Sequence, residues 1–157
     1  MAELIIETRN RPAQLLLVED NADDVFLARD AFRAAKLKNR LAVATTGEEA
    51  LDRLRRQGDG PHTPDLILLD LNLPDMDGRT LLQRIRALPS LRRPTVIALV
   101  ACEAEAGAVR AEVDADAVLA KPIDVDRLAD TVGRLAAFEV KRGRQARPPP
   151  GRRRREQ

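Results

Sequence analysis

The sequence predicts an α/β domain built on a parallel sheet with helices on both faces. Three observations carry this. Short apolar runs alternate with longer stretches whose apolar residues recur every three or four positions. The order is strand then helix, five times over, and parallel neighbours need such crossovers. The apolar residues are also aliphatic. Hydrophobic residues make up 44% of the 157-residue chain and aromatics only 2%, so the core is Leu, Val, Ile and Ala.

Each element follows from its local pattern. Residues 1–12 read as a leader ending at Pro12. Leu15-Leu16-Leu17-Val18 is a continuous apolar run, the mark of a strand buried on both faces. Ala22 to Lys36 reads as a helix, with Val25, Ala28, Ala31, Phe32 and Ala35 on one side. Asn21 or a neighbouring Asp would cap it, and Asp23 and Asp24 suit its positive end. Leu41 to Ala44 is a short strand, and Thr45-Thr46-Gly47-Glu48-Glu49 opens a helix that Gly58-Asp59-Gly60-Pro61 closes. Asp65 to Asp70 is a third strand, Leu73 to Gly78 a turn, and Arg79 to Ala87 a helix with Leu81, Leu82 and Ile85 inward. Thr95 to Ala101 is the fourth strand and Glu103 to Glu112 an Ala-rich helix. Ala117 to Ala120 is the fifth strand, stopped by Lys121-Pro122. From Asp124 a last helix carries Val125, Leu128, Val132 and Leu135, with Phe138 beyond.

Ligands of doubly wound sheets bind beyond the carboxyl ends of the strands. Here the first strand ends in Glu19-Asp20, the third in Asp70 and the fifth in Lys121. If the ends converge, the crevice holds three carboxylates and one ammonium. Clustered carboxylates raise one another's pKa until something neutralises them. Mg²⁺ suits the task, since it takes one or two carboxylates and keeps waters and phosphate oxygens. An Asp beside Mg²⁺ and Lys is a nucleophile suited to phosphoryl transfer. Taken singly, a strand-end Asp is a cap and a Lys before Pro a solvated side chain. The conjunction of the three is what points to a site.

Charge is unevenly spread. The net charge of +2 combines eight Lys/Arg and one acid in residues 141–157 with 19 basic and 24 acidic residues before them. The body is thus mildly acidic and the tail basic. The single cysteine, Cys102, allows no intramolecular disulfide and reads as a small packing residue in a reducing compartment. No apolar run approaches the roughly 18–20 residues of a membrane span. The N-terminus has no secretory pattern, so a cytoplasmic protein is expected. The only histidine, His62, reads as a loop residue rather than a relay group.

The motifs Leu17-Val18-Glu19-Asp20-Asn21 with Asp24, Leu69-Asp70-Leu71-Asn72-Leu73-Pro74 with Asp77-Gly78, and Lys121-Pro122 resemble the receiver domains of bacterial response regulators. The resemblance covers residues 14–138, and its wording is most similar to short stand-alone receivers that work with phytochrome-type histidine kinases. It implies a flavodoxin-like, three-layer α/β/α fold of five strands in the order 2-1-3-4-5. It implies that Asp70 accepts the phosphoryl group, that Asp20 binds Mg²⁺ directly with Glu19 as its partner, and that the backbone carbonyl of Asn72 completes the metal site. Lys121 would contact the phosphoryl group, and the Lys121–Pro122 peptide would be cis. The donor would be a phosphohistidine on a sensor histidine kinase, such as a bacteriophytochrome. The chain would then be no enzyme in the usual sense, catalysing only its own phosphorylation and dephosphorylation.

The sequence departs from that family at the switch. A Ser or Thr belongs at the end of the fourth strand, but the two ways of aligning it fall on Leu99 or Val100. An aromatic belongs three residues before the lysine, where Val118 stands. An acceptor pocket with a weakened or altered switch is therefore expected. The domain plan is a leader at 1–12, a receiver at 13–140 and a disordered basic tail at 141–157. With no output domain evident, the signal would leave by protein contact. The last helix could support a homodimer through its apolar stripe.

Three rivals stand beside this reading. A hydrolase of the haloacid dehalogenase type needs an Asp two residues after the nucleophile, where this chain has Asn72. A phosphorylation-independent interaction module would use the same fold. A nucleic-acid-binding protein would act weakly through the basic tail.

Overall fold

The computed structural model describes residues 3–57, 63–89 and 93–143. The elements are β1 (Leu4–Thr8), β2 (Arg11–Pro12), β3 (Leu15–Val18), α1 (Ala22–Ala34), β4 (Leu41–Ala44), α2 (Gly47–Gln57), β5 (Leu66–Asp70), α3 (Gly78–Ala87), β6 (Thr95–Val100), α4 (Glu103–Glu112), β7 (Ala117–Ala120), α5 (Val125–Gly133) and β8 (Glu139–Arg142). The five expected strands pair in parallel in the order β4-β3-β5-β6-β7. This is the 2-1-3-4-5 order, because β3 is the first of the five and β4 the second.

The continuous apolar runs are buried along their whole length, as in β3 and β5. Side chains alternate across the sheet. Leu16 and Val18 join a core with Leu51 and Leu54 of α2, Leu81 and Ile85 of α3, and Val109 of α4. Leu15 and Leu17 face the opposite way, toward Ala28 and Phe32 of α1 and Leu128 and Val132 of α5. Both faces are therefore covered, by α2–α4 on one side and by α1 and α5 on the other.

Helix boundaries follow their caps. The Asn21 side chain accepts from the amides of Asp23 (2.8 Å) and Asp24 (3.1 Å), opening α1 as expected. The helix stops at Ala34 rather than Lys36, because Lys36 turns left-handed (φ 58°). The amides of Lys36 and Leu37 then donate to the carbonyls of Arg33 (3.0 Å) and Phe32 (2.9 Å), a Schellman closure. The peptide Lys121–Pro122 is cis, as the resemblance implied.

The termini require a correction. Residues 4–8 and 11–12 are not a leader but two strands of a second sheet, ordered β2-β1-β8 and antiparallel. Arg9 (φ 51°) and Asn10 (φ 61°) make the left-handed two-residue hairpin turn between β1 and β2. That turn escaped the sequence reading because it lacks the usual glycine. Leu4 and Ile6 are buried in the α1/α5 core. Asn39, itself buried, locks the strand by accepting from the Ile6 amide (2.9 Å) and donating to the carbonyls of Ile6 (2.8 Å) and Ala13 (2.9 Å). Arg11 forks onto both oxygens of Asp65 (2.8 and 2.9 Å), joining the hairpin to the start of β5. This partner also raises the Arg11 pKa, by hydrogen bonding and against the effect of burial.

The C-terminal boundary shifts too. Lys141 and Arg142 lie in β8, paired with Ile5 and Leu4, so the fold passes residue 140. The rest of the basic tail, the loop at Gly58–Pro61 and His62 lie outside the described residues. Of the apolar stripe, Val125, Leu128 and Val132, with the nearby Phe138, are buried in the α1/α5 core, and Leu135 is partly buried against it. The buried part of the stripe is thus taken up by the core. Cys102 is exposed and begins α4 without a side-chain cap bond, so it is not a packing residue. Among the described residues no helix is long and apolar enough to cross a membrane.

The N-terminal strand makes a direct test of the corrected boundary. Replacing Ile6, 1% exposed, with Ala should lower unfolding free energy by about 2–5 kcal/mol. Urea melts followed by circular dichroism would measure it, and a change below about 0.5 kcal/mol would mean the strand is dispensable.

Candidate functional site

The crevice at the carboxyl ends of β3, β5 and β7 gathers the predicted residues. β3 runs out into Glu19 and Asp20, β5 ends on Asp70, and β7 is followed by Lys121. The parallel register brings these ends level: Val18 pairs with Leu69, Asp70 with Leu99, and Val100 with Ala120. Glu19 and Asp70 are buried, each 2% exposed, while Asp20 is exposed. One carboxylate oxygen from each of Glu19, Asp20 and Asp70 lies within 4.8 Å of the others.

Lys121 reaches across this group. Its Nζ donates to Asp24 Oδ2 (2.9 Å), Glu19 Oε1 (3.2 Å) and Asp70 Oδ2 (3.3 Å). The other Asp70 oxygen, Oδ1, accepts from the Asn72 amide (3.0 Å), which orients the carboxylate from behind. The Lys121 amide donates to the Val100 carbonyl (2.8 Å), tying the lysine to the sheet.

The loop after Asp70 is held from two directions. The Gly78 amide donates to the Leu71 carbonyl (3.1 Å), and a Cβ at Gly78 would stand 2.4 Å from Leu71 Cα, so only glycine fits there. Asp75 caps the start of α2, accepting from the amides of Gly47 (2.9 Å) and Glu48 (3.1 Å). The Gly47 bond holds the Asp75 carboxyl below its usual range.

The electrostatics are those of a crowded acid group. Burial, followed by a hydrogen bond and repulsion from Asp70, pushes the Glu19 carboxyl up from 4.5 to about 7. Burial works against the Lys121 ammonium, but the bond to Asp24 and the charges of Asp70 and Glu19 outweigh it and raise its pKa. Glu19 thus behaves as an acid lacking a full counter-charge. A hard divalent cation fits this donor set of oxygens, with Asp20 open to water on the outer side.

The family model for the response regulator receiver domain matches residues 15–133. The chain belongs to this family. Response regulator Rcp1 of Synechocystis sp. is similar to it, 38% identical over 92 residues. That alignment covers 57% of this chain and 63% of Rcp1, less than two thirds of the relative's length. Among solved structures, the bacteriophytochrome response regulator RtBRR has TM-score 0.70 and 33% identity, covering 90% of this chain and 87% of its own. AtBRR, also a bacteriophytochrome response regulator, has TM-score 0.69 and 34% identity, covering 80% and 94%. The Mn(2+)-bound form of Rcp1 has TM-score 0.56 and 33% identity, covering 77% and 89%. This chain is thus a receiver of two-component signalling, similar to phytochrome-associated regulators.

Within this receiver the departing switch positions separate. Leu99 faces the α1/α5 core. Val100 and Val118 face the other way and share one apolar cluster with Ala106 and Val109 of α4. Both valines are buried there. One residue escaped assignment to the site from sequence: Asp24, which makes the shortest bond to Lys121. Its position one helical turn after Asp20 was the available signal.

The raised Glu19 pKa makes a prediction with a fixed sign. An acid whose pKa is higher folded than unfolded binds more protons when folded, so stability falls as pH rises between the two values. Without divalent cations, wild type should lose stability between about pH 4.5 and 7 relative to Glu19→Gln. Thermal melts across that range in chelator would check it. Parallel pH curves for the two proteins would refute the assignment.

Proposed function

We propose that the chain accepts a phosphoryl group on Asp70 from the phosphohistidine of a sensor histidine kinase of the bacteriophytochrome type. The observation that carries this is the meeting of Glu19, Asp20 and Lys121 around one buried carboxylate. Asp70 Oδ1 is oriented by the Asn72 amide, and Oδ2 by Lys121. A carboxylate oxygen of Asp70 attacks phosphorus, an O–P bond forms, and the P–N bond to the donor imidazole breaks. The leaving nitrogen keeps the electron pair. The product is an acyl phosphate on Asp70, with Lys121 moving its proton donor from Oδ2 to a phosphoryl oxygen.

Glu19, Asp20, Asp70 and the Asn72 carbonyl would hold Mg²⁺, whose charge would neutralise the phosphoryl oxygens. The Mn(2+)-bound form of the similar regulator Rcp1 supports a divalent cation here. Asp70→Asn should abolish labelling by acetyl phosphate with Mg²⁺, read as loss of the alkali- and hydroxylamine-labile phosphoprotein band. Labelling that survives this substitution would remove Asp70 as the acceptor.

The same pocket would be read out weakly. A ligand shifts a conformational equilibrium only through contacts that differ between the two states. A hydrogen bond to a charged group contributes about 1.5–3 kcal/mol. Inverting a population from 1:99 to 99:1 needs about 5.5 kcal/mol. Val100 and Val118 supply no such bond, and their burial together under α4 supports a pocket whose chemistry outruns its conformational effect. Val100→Thr should enlarge the NMR shift changes in α4 and β7 on phosphorylation. A complete two-state change in wild type would contradict the weakened switch.

A further inference from the structure

Lys121 is shared by three carboxylates, and only two of them belong to the acceptor and metal group. The third, Asp24, sits in the first turn of α1 and makes the shortest contact, 2.9 Å against 3.2 Å for Glu19 and 3.3 Å for Asp70. An ammonium has three donors. Here all three are directed at carboxylate oxygens, so an incoming phosphoryl oxygen gains only the donor that Asp70 gives up while Asp24 keeps its own. Asp24 is the most exposed of the three partners, its side chain 33% exposed against 2% and 3%. It can be rehydrated with little penalty, whereas Glu19 and Asp70 cannot. The Asn21 cap fixes the helix start that carries it, since the Asp24 amide donates to Asn21 Oδ1 (3.1 Å).

We propose that Asp24 is a positioning residue that competes with the phosphoryl group for Lys121 and thereby lowers the receiver's phosphoryl affinity. The inference rests on the reading of Asp70 as acceptor. Two acceptors on one tetrahedral ammonium lie roughly 5 Å apart. A phosphoryl oxygen bonded to Lys121 would therefore feel the Asp24 charge well inside the screening length of physiological salt. Phosphorylation adds negative charge at this spot. Asp24 opposes that charge by repulsion and by drawing the ammonium toward the rim. Neutralising Asp24 releases both effects.

Fluoroberyllate binding at saturating Mg²⁺ tests this on the full chain, by calorimetry or fluorine NMR. Saturation removes any change in cation affinity from the comparison. Asp24→Asn should bind about three- to fivefold more tightly than wild type, and Asp24→Glu should match wild type. The gain should shrink in high salt, which a packing effect would not do. Asp24→Ser, which removes the charge with a smaller side chain, should behave as Asp24→Asn and guards against a folding defect peculiar to one variant. Equal or weaker binding by both neutral variants, or a gain that persists in high salt, overturns the proposal. Asp70→Asn serves as the control. If it binds fluoroberyllate as wild type does, the acceptor reading fails first; if it does not bind, a null result at Asp24 counts against the restraint alone.

Discussion

The meeting of one ammonium with carboxylates from separate strands is the constraint on which the rest of the structure depends. Glu19 and Asp70 are buried, and buried like charges repel unless a cation stands between them. Lys121 is that cation within the chain, and it reaches both from the far side of the sheet. It does not balance them fully, which is why the Glu19 carboxyl is pushed up to about 7. The same imbalance makes the site sensitive to any further charge, such as that of Asp24 or of a phosphoryl group.

The architecture around this spot serves to bring distant residues level. Glu19 and Lys121 are 102 positions apart, and only a parallel sheet in which β3, β5, β6 and β7 share a register places their ends together. Apolar burial on both faces fixes that register, because a slip by one residue would turn the Leu and Val side chains out of both cores. The second sheet adds to the α1/α5 face. Leu4 and Ile6 of its β1 join the same buried cluster as Val125, Leu128 and Val132 of α5 and the neighbouring Phe138. The loop after Asp70 is in turn clasped by Gly78 and by the Asp75 cap on α2. Both flanks of the acceptor are thus tied to regular elements rather than left to a free loop.

Much of this was legible because parallel β/α folds write strongly into sequence. Continuous apolar runs such as Leu66 to Leu69, followed by an acid, mark both a strand and the end at which a site forms. The cap at Asn21 and the helix at α3 were equally plain. Legibility failed where the signal was not local. The β1–β2 turn uses Arg9 and Asn10, and β8 carries Glu, Lys and Arg, so neither resembles a strand of the central sheet. Both are held by tertiary partners, Asn39, Asp65 and the α1/α5 core. Phe138 likewise resembled part of a free stripe, yet it is buried in the α1/α5 core.

The sequence by itself determined the five strand–helix units, the strand-end acids and lysine, and the absence of a hydroxyl and an aromatic at the switch positions. Those properties depend on residue identity and short-range spacing, which any pairing of the strands would preserve. Only the tertiary structure decided that the first residues belong to a sheet with the last, that Val100 and Val118 share one cluster, and that Asp24 holds Lys121 most closely. Each of these depends on which side a side chain faces and how far it reaches in space. Periodicity along a chain carries neither quantity until long-range packing sets it.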